Sequence, residues 1–596
     1  MDLNQEESNQ TSASRKLSRR DAMRIMGVSA GAIGIGAIAT ACGDSGNAAG
    51  NSTTTSTASS GSGTQTTSSA TSTISDSTSA ATATTSSGSA ASVNPADRPA
   101  LTVGVQGLPD ALDPYMQLSN VGTRVTYVLF DQLLERDFRD GDPAGTGSTV
   151  KPMLAAKWNR IDDLTIEMTL RDDVTFHTGD PLTPEDVKFT FDRMLVNTPD
   201  DLQEARAYIS TLTSVDIVDD HTLRFVTSDP DPLLEIRLTS WATWIMPKKA
   251  YEAAPDKFAL VPVGTGPYKF VEMEPDDKLV LDSHDDYWMG LPTAKQVTFR
   301  VIPEIAARIT ALVSGEVDMI TNIPPDQVPT LKQADNVTVE SVPLANCHVL
   351  EYNTHHPVLA NKSLRQALNL GIDRKLLIDT LWNGTALQMR SHQFPEYGEM
   401  YNANRPYTPY DPDKARQLVK DSGYKGDTIT FMTASNYYTN ALQAAQAIVQ
   451  MWQDIGLKAE VQVIEDSSTV PNDQHMVWNW SNSSFVADPD GAFWLRWGKQ
   501  TGAQKTWWTP DDPKFNELGQ QARQTLDKKF RFDAYQQMLD IWEDEAPGTV
   551  LDIWEDEAPG TVLYIPVENY GVRKGIDWLP YSFYYMDLRP DNLKFS

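Results

Sequence analysis

Between Asn47 and Asn94 the chain carries one charged residue, Asp76, and only one strongly apolar residue before Val93, Ile74. The remainder is almost all Ser, Thr, Ala and Gly. Such a segment buries too little apolar surface to offset the entropy of ordering it, so disorder is expected there. As a flexible coil of about 50 residues it spans roughly 40 Å root-mean-square. The consequence is a division of the chain. Anything compact must lie in the roughly 500 residues that follow, which is more than one hydrophobic core usually organises. Two lobes or more are expected.

Ahead of that segment, residues 18–42 read SRRDAMRIMGVSAGAIGIGAIATAC. Arg19 and Arg20 before a mildly apolar stretch resemble a twin-arginine export signal. The stretch Ile25 to Ala41 is so rich in Gly and Ala that it makes a poor membrane span. It ends in Ala39-Thr40-Ala41-Cys42, which resembles a bacterial lipoprotein cleavage site, with Ala39 where Leu is usual. The expectation is a signal over 1–41, a lipid on Cys42, a tether over 42–98, and an extracytoplasmic body anchored to the membrane. Gly27-Val28-Ser29-Ala30-Gly31 and Gly34-Ile35-Gly36 match fragments of nucleophile-elbow and dinucleotide motifs. Both lack the strand-to-helix context that the chemistry requires.

With 80 acidic against 50 basic residues the formal charge is −30. A chain this acidic repels phosphate backbones, so nucleic acid is not an expected partner. Of the two cysteines, Cys42 is assigned to lipid, which leaves Cys347 without a disulfide partner. Leu344 to Tyr352 reads as a buried strand, so Cys347 is expected to be an inert core thiol. His355-His356 is the only adjacent histidine pair. Neighbours in a strand point oppositely, and no Cys/His spacing of a metal site surrounds them. Neither metal nor cofactor is expected.

Along the body, helix and strand signals alternate, which argues for α/β lobes. Leu101 to Val105 alternates as a strand. Thr183-Pro184-Glu185-Asp186 opens a helix with a cap, a first-turn proline and an acid three residues after the cap. Glu304 to Ser314 is a helix stopped by Gly315, followed by a short strand at Val317 to Ile320. Asp411-Pro412 opens another that Gly423 closes. Thr439 to Ile455 has apolar residues at helical spacing, and Leu457 to Val463 alternates as a strand. The twelve residues LDIWEDEAPGTV occur at 539–550 and again at 551–562. Two copies of twelve cannot make a solenoid. Pro547-Gly548 and a phase error of about 120° stop the second copy from prolonging the first copy's helix. One copy is expected to build the fold, and the other to be a surface loop or short helix.

Several segments, in order, carry a resemblance. They are LTVGVQGLPDALDPY (101–115), VKPMLAAKW (150–158), LRDDVTFHTGDPLTPEDVKFTFDRML (170–195), GTGPYKF (264–270), DDYWMGLP (285–292), LVSGEVDMI (312–320), LEYNTHHPVLANKSLRQALNLGIDRKLL (350–377) and ADPD (487–490). The chain resembles the family 5 extracellular solute-binding proteins, the peptide/nickel-type receptors of ABC importers. The resemblance implies an α/β, two-lobed periplasmic-binding-protein-like fold (class II type), with a hinge and a ligand cleft between the lobes. Lobe 1 is then placed at 99–346 plus 570–596 and lobe 2 at 347–569, with crossings near Leu344–Tyr352 and Tyr570–Ile576. It further implies a non-enzymatic, probably monomeric receptor that captures an oligopeptide or similar solute and delivers it to permease subunits.

Peptide-binding members commonly place an acid shortly before the DP motif, to pair with the α-amino group. Here Ser481 to Ala487 reads SNSSFVA, without a carboxylate. Six tryptophans crowd 478–508, and aromatic faces can sandwich sugar rings, side chains or cations. The candidate ligand-binding residues are Tyr115, Trp241, Trp244, Trp478, Trp480, Phe485, Asp488 and Trp494. Each tryptophan could equally be core, and Asp488 could hold a turn. An oligosaccharide receptor, a secreted hydrolase and a chemosensory receptor remain as alternatives.

Overall fold

The computed structural model describes residues 97–596 apart from 116–118, 140–146, 197, 200–201, 435–437, 465–469, 472–473, 500 and 544–557. The expected signal, Cys42 and the tether as far as residue 96 lie outside the described residues. The fold begins one residue before the expected body. Arg98, assigned to the tether, is buried, donates to the Pro292 carbonyl at 2.6 Å and pairs with Asp285 at 2.7 Å.

Two large sheets organise the structure. The first has seven strands in the order Val337–Pro343, Val567–Arg573, Met319–Ile320, Ala100–Val105, Gln296–Val301, Lys278–Ser283 and Tyr268–Glu274. Its central strand, Ala100–Val105, runs parallel to both neighbours and has Leu101 and Val103 fully buried. The second has six strands in the order Leu387–Gln388, Gly560–Ile565, Asn346–Tyr352, Val477–Ser483, Ile429–Thr433 and Ala459–Val463. A four-stranded antiparallel sheet, Ala155–Asp162, Thr165–Leu170, Thr222–Thr227 and Leu212–Ile217, shares the core of the first.

The chain passes between the two large sheets twice. Val337–Pro343 ends in the first and Asn346–Tyr352 begins in the second. Gly560–Ile565 ends in the second and Val567–Arg573 begins in the first, so the return falls at Pro566. This is ahead of the expected 570–576, because Val567 to Tyr570 already pair with Glu340 to Pro343. The two passages lie side by side, with Leu344 N donating to the Pro566 carbonyl at 3.0 Å.

Local chemistry explains the helices. Pro184–Leu195 starts with Thr183 and Asp186 in a reciprocal capping box, which satisfies two orphan donors of the first turn. Ile305–Ser314 ends at Gly315, whose φ of 80° is open to glycine and costly for other residues. Asp411 caps Pro412–Asp421 by accepting from Lys414 N. Ala441–Asp454 and the parallel strand Ala459–Val463 follow the expected order. The alternation of a strand then divides two cores. Leu350 and Tyr352 face helices Lys362–Leu370 and Ala441–Asp454, while Cys347 and Val349 face Lys514–Arg523 and Lys528–Trp542. Burial pushes the Cys347 thiol well above its ordinary pKa, so it stays protonated and unreactive.

The duplicated segment is described at its two ends only. Leu539 and Trp542 of the first copy are buried in the helix Lys528–Trp542. Gly560 to Val562 of the second copy form the start of a buried strand. The residues between, 544–557, are outside the described set.

Candidate functional site

A cavity of about 300 Å³ opens between the cores of the two sheets. One wall is built on the strand Val477–Ser483, whose period of two sends Trp478 and Trp480 to the same side. The segment Phe485 to Arg496 continues this wall, and Tyr438 and Ile464 complete it. The opposite wall is the short helix Gln203–Tyr208, which presents Glu204, Ala207 and Tyr208, together with Asn120. That helix is anchored through Ala205 and Tyr208 in the core of the seven-stranded sheet.

Arg496 is held from within its own wall. Its Nε donates to Glu351 Oε1 at 2.5 Å, and a second guanidinium nitrogen donates to Glu351 Oε2. Its charge also lies over the Trp480 ring, 4.8 Å from the centroid. Burial opposes the Arg496 charge, but the Glu351 carboxylate outweighs it and keeps the guanidinium pKa above its ordinary value. Glu204 is different. Among the described residues its carboxylate makes no ion pair. The surrounding protein mass pushes its pKa above the ordinary carboxylate value, with Arg496 acting in the opposite direction. The cavity therefore combines an aromatic wall, one guanidinium already paired and one carboxylate that is not.

Behind the cavity the segment 484–490 grips the first core. Phe485 stacks edge-on to Tyr208 at 6.0 Å and to Phe583 at 4.9 Å, and the Ser484 carbonyl accepts from Arg136 at 2.6 Å. Asp490, fully buried, pairs with Arg237 at 2.5 Å and Arg523 at 2.6 Å. Burial would raise its pKa, but the two guanidiniums outweigh burial and hold it at about 2.

A fold of two sheets joined by two passages, with a cavity between their cores, is shared with known proteins. Residues 149–504 match the model of the bacterial extracellular solute-binding proteins, family 5 Middle. The chain belongs to family 5 of these solute-binding proteins. It is 25% identical over 480 residues to the dipeptide-binding protein of Escherichia coli K12, covering 75% of this chain and 87% of that protein. It is 26% identical over 434 residues to heme-binding protein A of Haemophilus influenzae, covering 67% and 78%. The dipeptide-binding protein of Pseudoalteromonas sp. SM9913, solved with Met-Leu, shares the fold with a TM-score of 0.74 at 20% identity, over 83% of this chain and all of that one.

In this family 5 protein, three of the eight residues singled out from the sequence, Trp478, Trp480 and Phe485, line the cavity. The other five lie outside its lining. Tyr115 is buried and donates its hydroxyl to the Trp244 carbonyl at 2.8 Å. Trp241 and Trp244 are sealed in the first core. Asp488 holds a turn by accepting from Asp490 N and from Arg531 at 2.8 Å. Trp494 packs so tightly on Gly519 that a Cβ there would sit 1.9 Å from its ring. His355 and His356 lie outside the lining too, and His355 hydrogen-bonds within the protein through Thr506 and Thr509.

Glu204, Tyr208, Tyr438 and Arg496 were not foreseen. Arg496 carried a faint signal, since Trp494-Leu495-Arg496-Trp497 sets a lone cation among aromatics. Glu204 carried none, as an acid on a short polar helix is ordinary surface.

Proposed function

We propose that this protein is the solute-capturing component of an ABC importer, binding a short peptide in the cavity between its two sheets. The observation that carries the reading is the cavity itself, walled on opposite sides by elements of two separate cores. Relatives of the same architecture, from Escherichia coli and Pseudoalteromonas, bear the name dipeptide-binding protein. A volume of about 300 Å³ sits at the small end of ligand pockets, which suits two or three residues better than a long chain.

In this reading the lobes are residues 98–343 with 567–596, and 346–565. The passages at 344–345 and Pro566 act as the hinge, and ligand drives closure through its greater affinity for the closed state. The N-terminal segment exports the chain by the twin-arginine route, and a lipid on Cys42 holds the monomeric body on a leash of about 40 Å near the permease. Capture and release make and break no covalent bond. Thermal unfolding of the full chain against di- and tripeptides, oligosaccharides and nickel–histidine complexes tests the reading. A peptide at 100 times its Kd adds about 2.7 kcal/mol of stability. A shift with sugars or nickel complexes and none with peptides would overturn it.

A further inference from the structure

The charges of the cavity do not cancel. Arg496 is committed to Glu351 through two donors and to the Trp480 face, so it contributes no free positive charge. Glu204, on the opposite wall, is the one described lining carboxylate, and it has no ion-pair partner among the described residues. Counting Glu351, the described charges leave the cavity at minus one. A carboxylate partly shut away from water is costly unless something positive faces it. A metal ion is a poor candidate for that position, since no group of three His, Cys, Asp or Glu able to hold one occurs among the described residues.

We infer that Glu204 is the counter-ion for a primary ammonium group of the solute, and that the solute is a short peptide with a free N-terminus. The inference rests on the cavity being the peptide site. A cavity of about 300 Å³ admits two or three residues, and the N-terminal ammonium is the one cation that all such peptides share. The placement also couples binding to closure. The ammonium meets its acid on the helix Gln203–Tyr208 while the side chains stack on Trp478 and Trp480 across the cavity. The acid absent from Ser481 to Ala487 is thereby supplied from the other wall.

The test is calorimetric titration of the full chain and its Glu204→Gln and Glu204→Asp variants. The probes are alanyl, leucyl and phenylalanyl di- and tripeptides, each with its N-acetylated counterpart. The expected result is that acetylation weakens binding to the wild type at least about 10-fold, the scale of a hydrogen bond to a charged group. Glu204→Gln should weaken the free peptides equally and leave the acetylated ones unchanged, the non-additivity of a direct contact. Glu204→Asp should recover part of the loss. Unchanged melting of the unliganded Glu204→Gln variant checks its fold. If the wild type binds both series alike, or Glu204→Gln binds free peptides as the wild type does, the role of Glu204 falls and the peptide reading stands. If neither series binds the wild type, the peptide reading falls and takes the inference with it.

Discussion

The cavity wall and the packed seam behind it use the same residue types for opposite ends. Trp241 and Trp244 sit three apart at a short turn, both sealed from water, with Trp241 meeting Tyr208 and Phe485 edge-on. Trp478 and Trp480 sit two apart on a strand, where the pleat leaves both on one side and Trp480 is 36% exposed. The charges divide in the same way. Asp490 in the seam has two guanidiniums, whereas Glu204 in the cavity has no ion-pair partner among the described residues. Satisfied groups mark what holds the protein together. Unsatisfied groups that face space mark where something else is meant to enter.

The sharpest separation is expected from the tryptophans of the seam. Trp244→Ala should cost about 3–5 kcal/mol in denaturant unfolding, the toll of a large core cavity. A loss below about 1 kcal/mol would mean that Trp244 is not core and would erase the contrast. Next in size is the acid limb of the seam. Asp490 titrates at about 2 in the folded protein against an ordinary 3.8. Its folded pKa is the lower one, so its stabilisation is complete above about pH 4 and is lost as pH falls through 2. Between those limits the wild type should lose about 2 kcal/mol more than Asp490→Asn, as read from paired urea titrations. Parallel losses would show that the pairing with Arg237 and Arg523 does not hold in solution. Smaller still is the effect of Trp480→Ala on stability. Removing a partly exposed ring from over Arg496 should cost less than about 1 kcal/mol. Its peptide affinity should nevertheless fall about 10-fold, as for a buried aromatic anchor. A variant that unfolds while still binding normally would place Trp480 with the seam instead.

Periodicity and caps made much of the fold legible. Thr183-Pro184 with Asp186, Asp411-Pro412 and the apolar spacing of Ala441–Asp454 each contain their structure within one turn or one face. The strand around Cys347 was legible for the same reason, being apolar over most of its length. The four-stranded sheet was not. Ala155–Asp162 is largely exposed and carries Lys157, Asn159, Arg160 and Asp162, so its strand pattern is diluted by surface chemistry. The cavity was half legible. Trp478 and Trp480 announce a two-residue period, but Glu204 lies more than 270 positions away, and only the fold brings it opposite them. Tyr115, Trp241, Trp244, Asp488 and Trp494 show the converse. Aromatic and acidic residues look alike in sequence whether they face a cavity or fill a core.

The same contrast identifies sequence that neither region requires. No residue of 539–562 lines the cavity. The packed cores use Leu539 to Trp542 from the first copy of the repeat and Gly560 to Val562 from the second. Both ends meet at one indole. The Trp497 ring lies 5.2 Å from that of Trp542, and a Cβ on Gly560 would sit 3.0 Å from the Trp497 ring. Glu543 and Gly560 also share the rim of one small cleft. Deleting residues 544–555 restores a single LDIWEDEAPGTV and leaves five residues between Trp542 and Gly560. Five residues extend to roughly 17 Å, ample for two ends in contact with one side chain. Shortening the connection from seventeen residues to five lowers its closure entropy by about 1 kcal/mol. The deletion should therefore melt at or slightly above the wild type and bind peptides with unchanged Kd. A lower melting temperature would mean that residues 544–555 pack against the body, and that the repeat belongs to the seam rather than beside it.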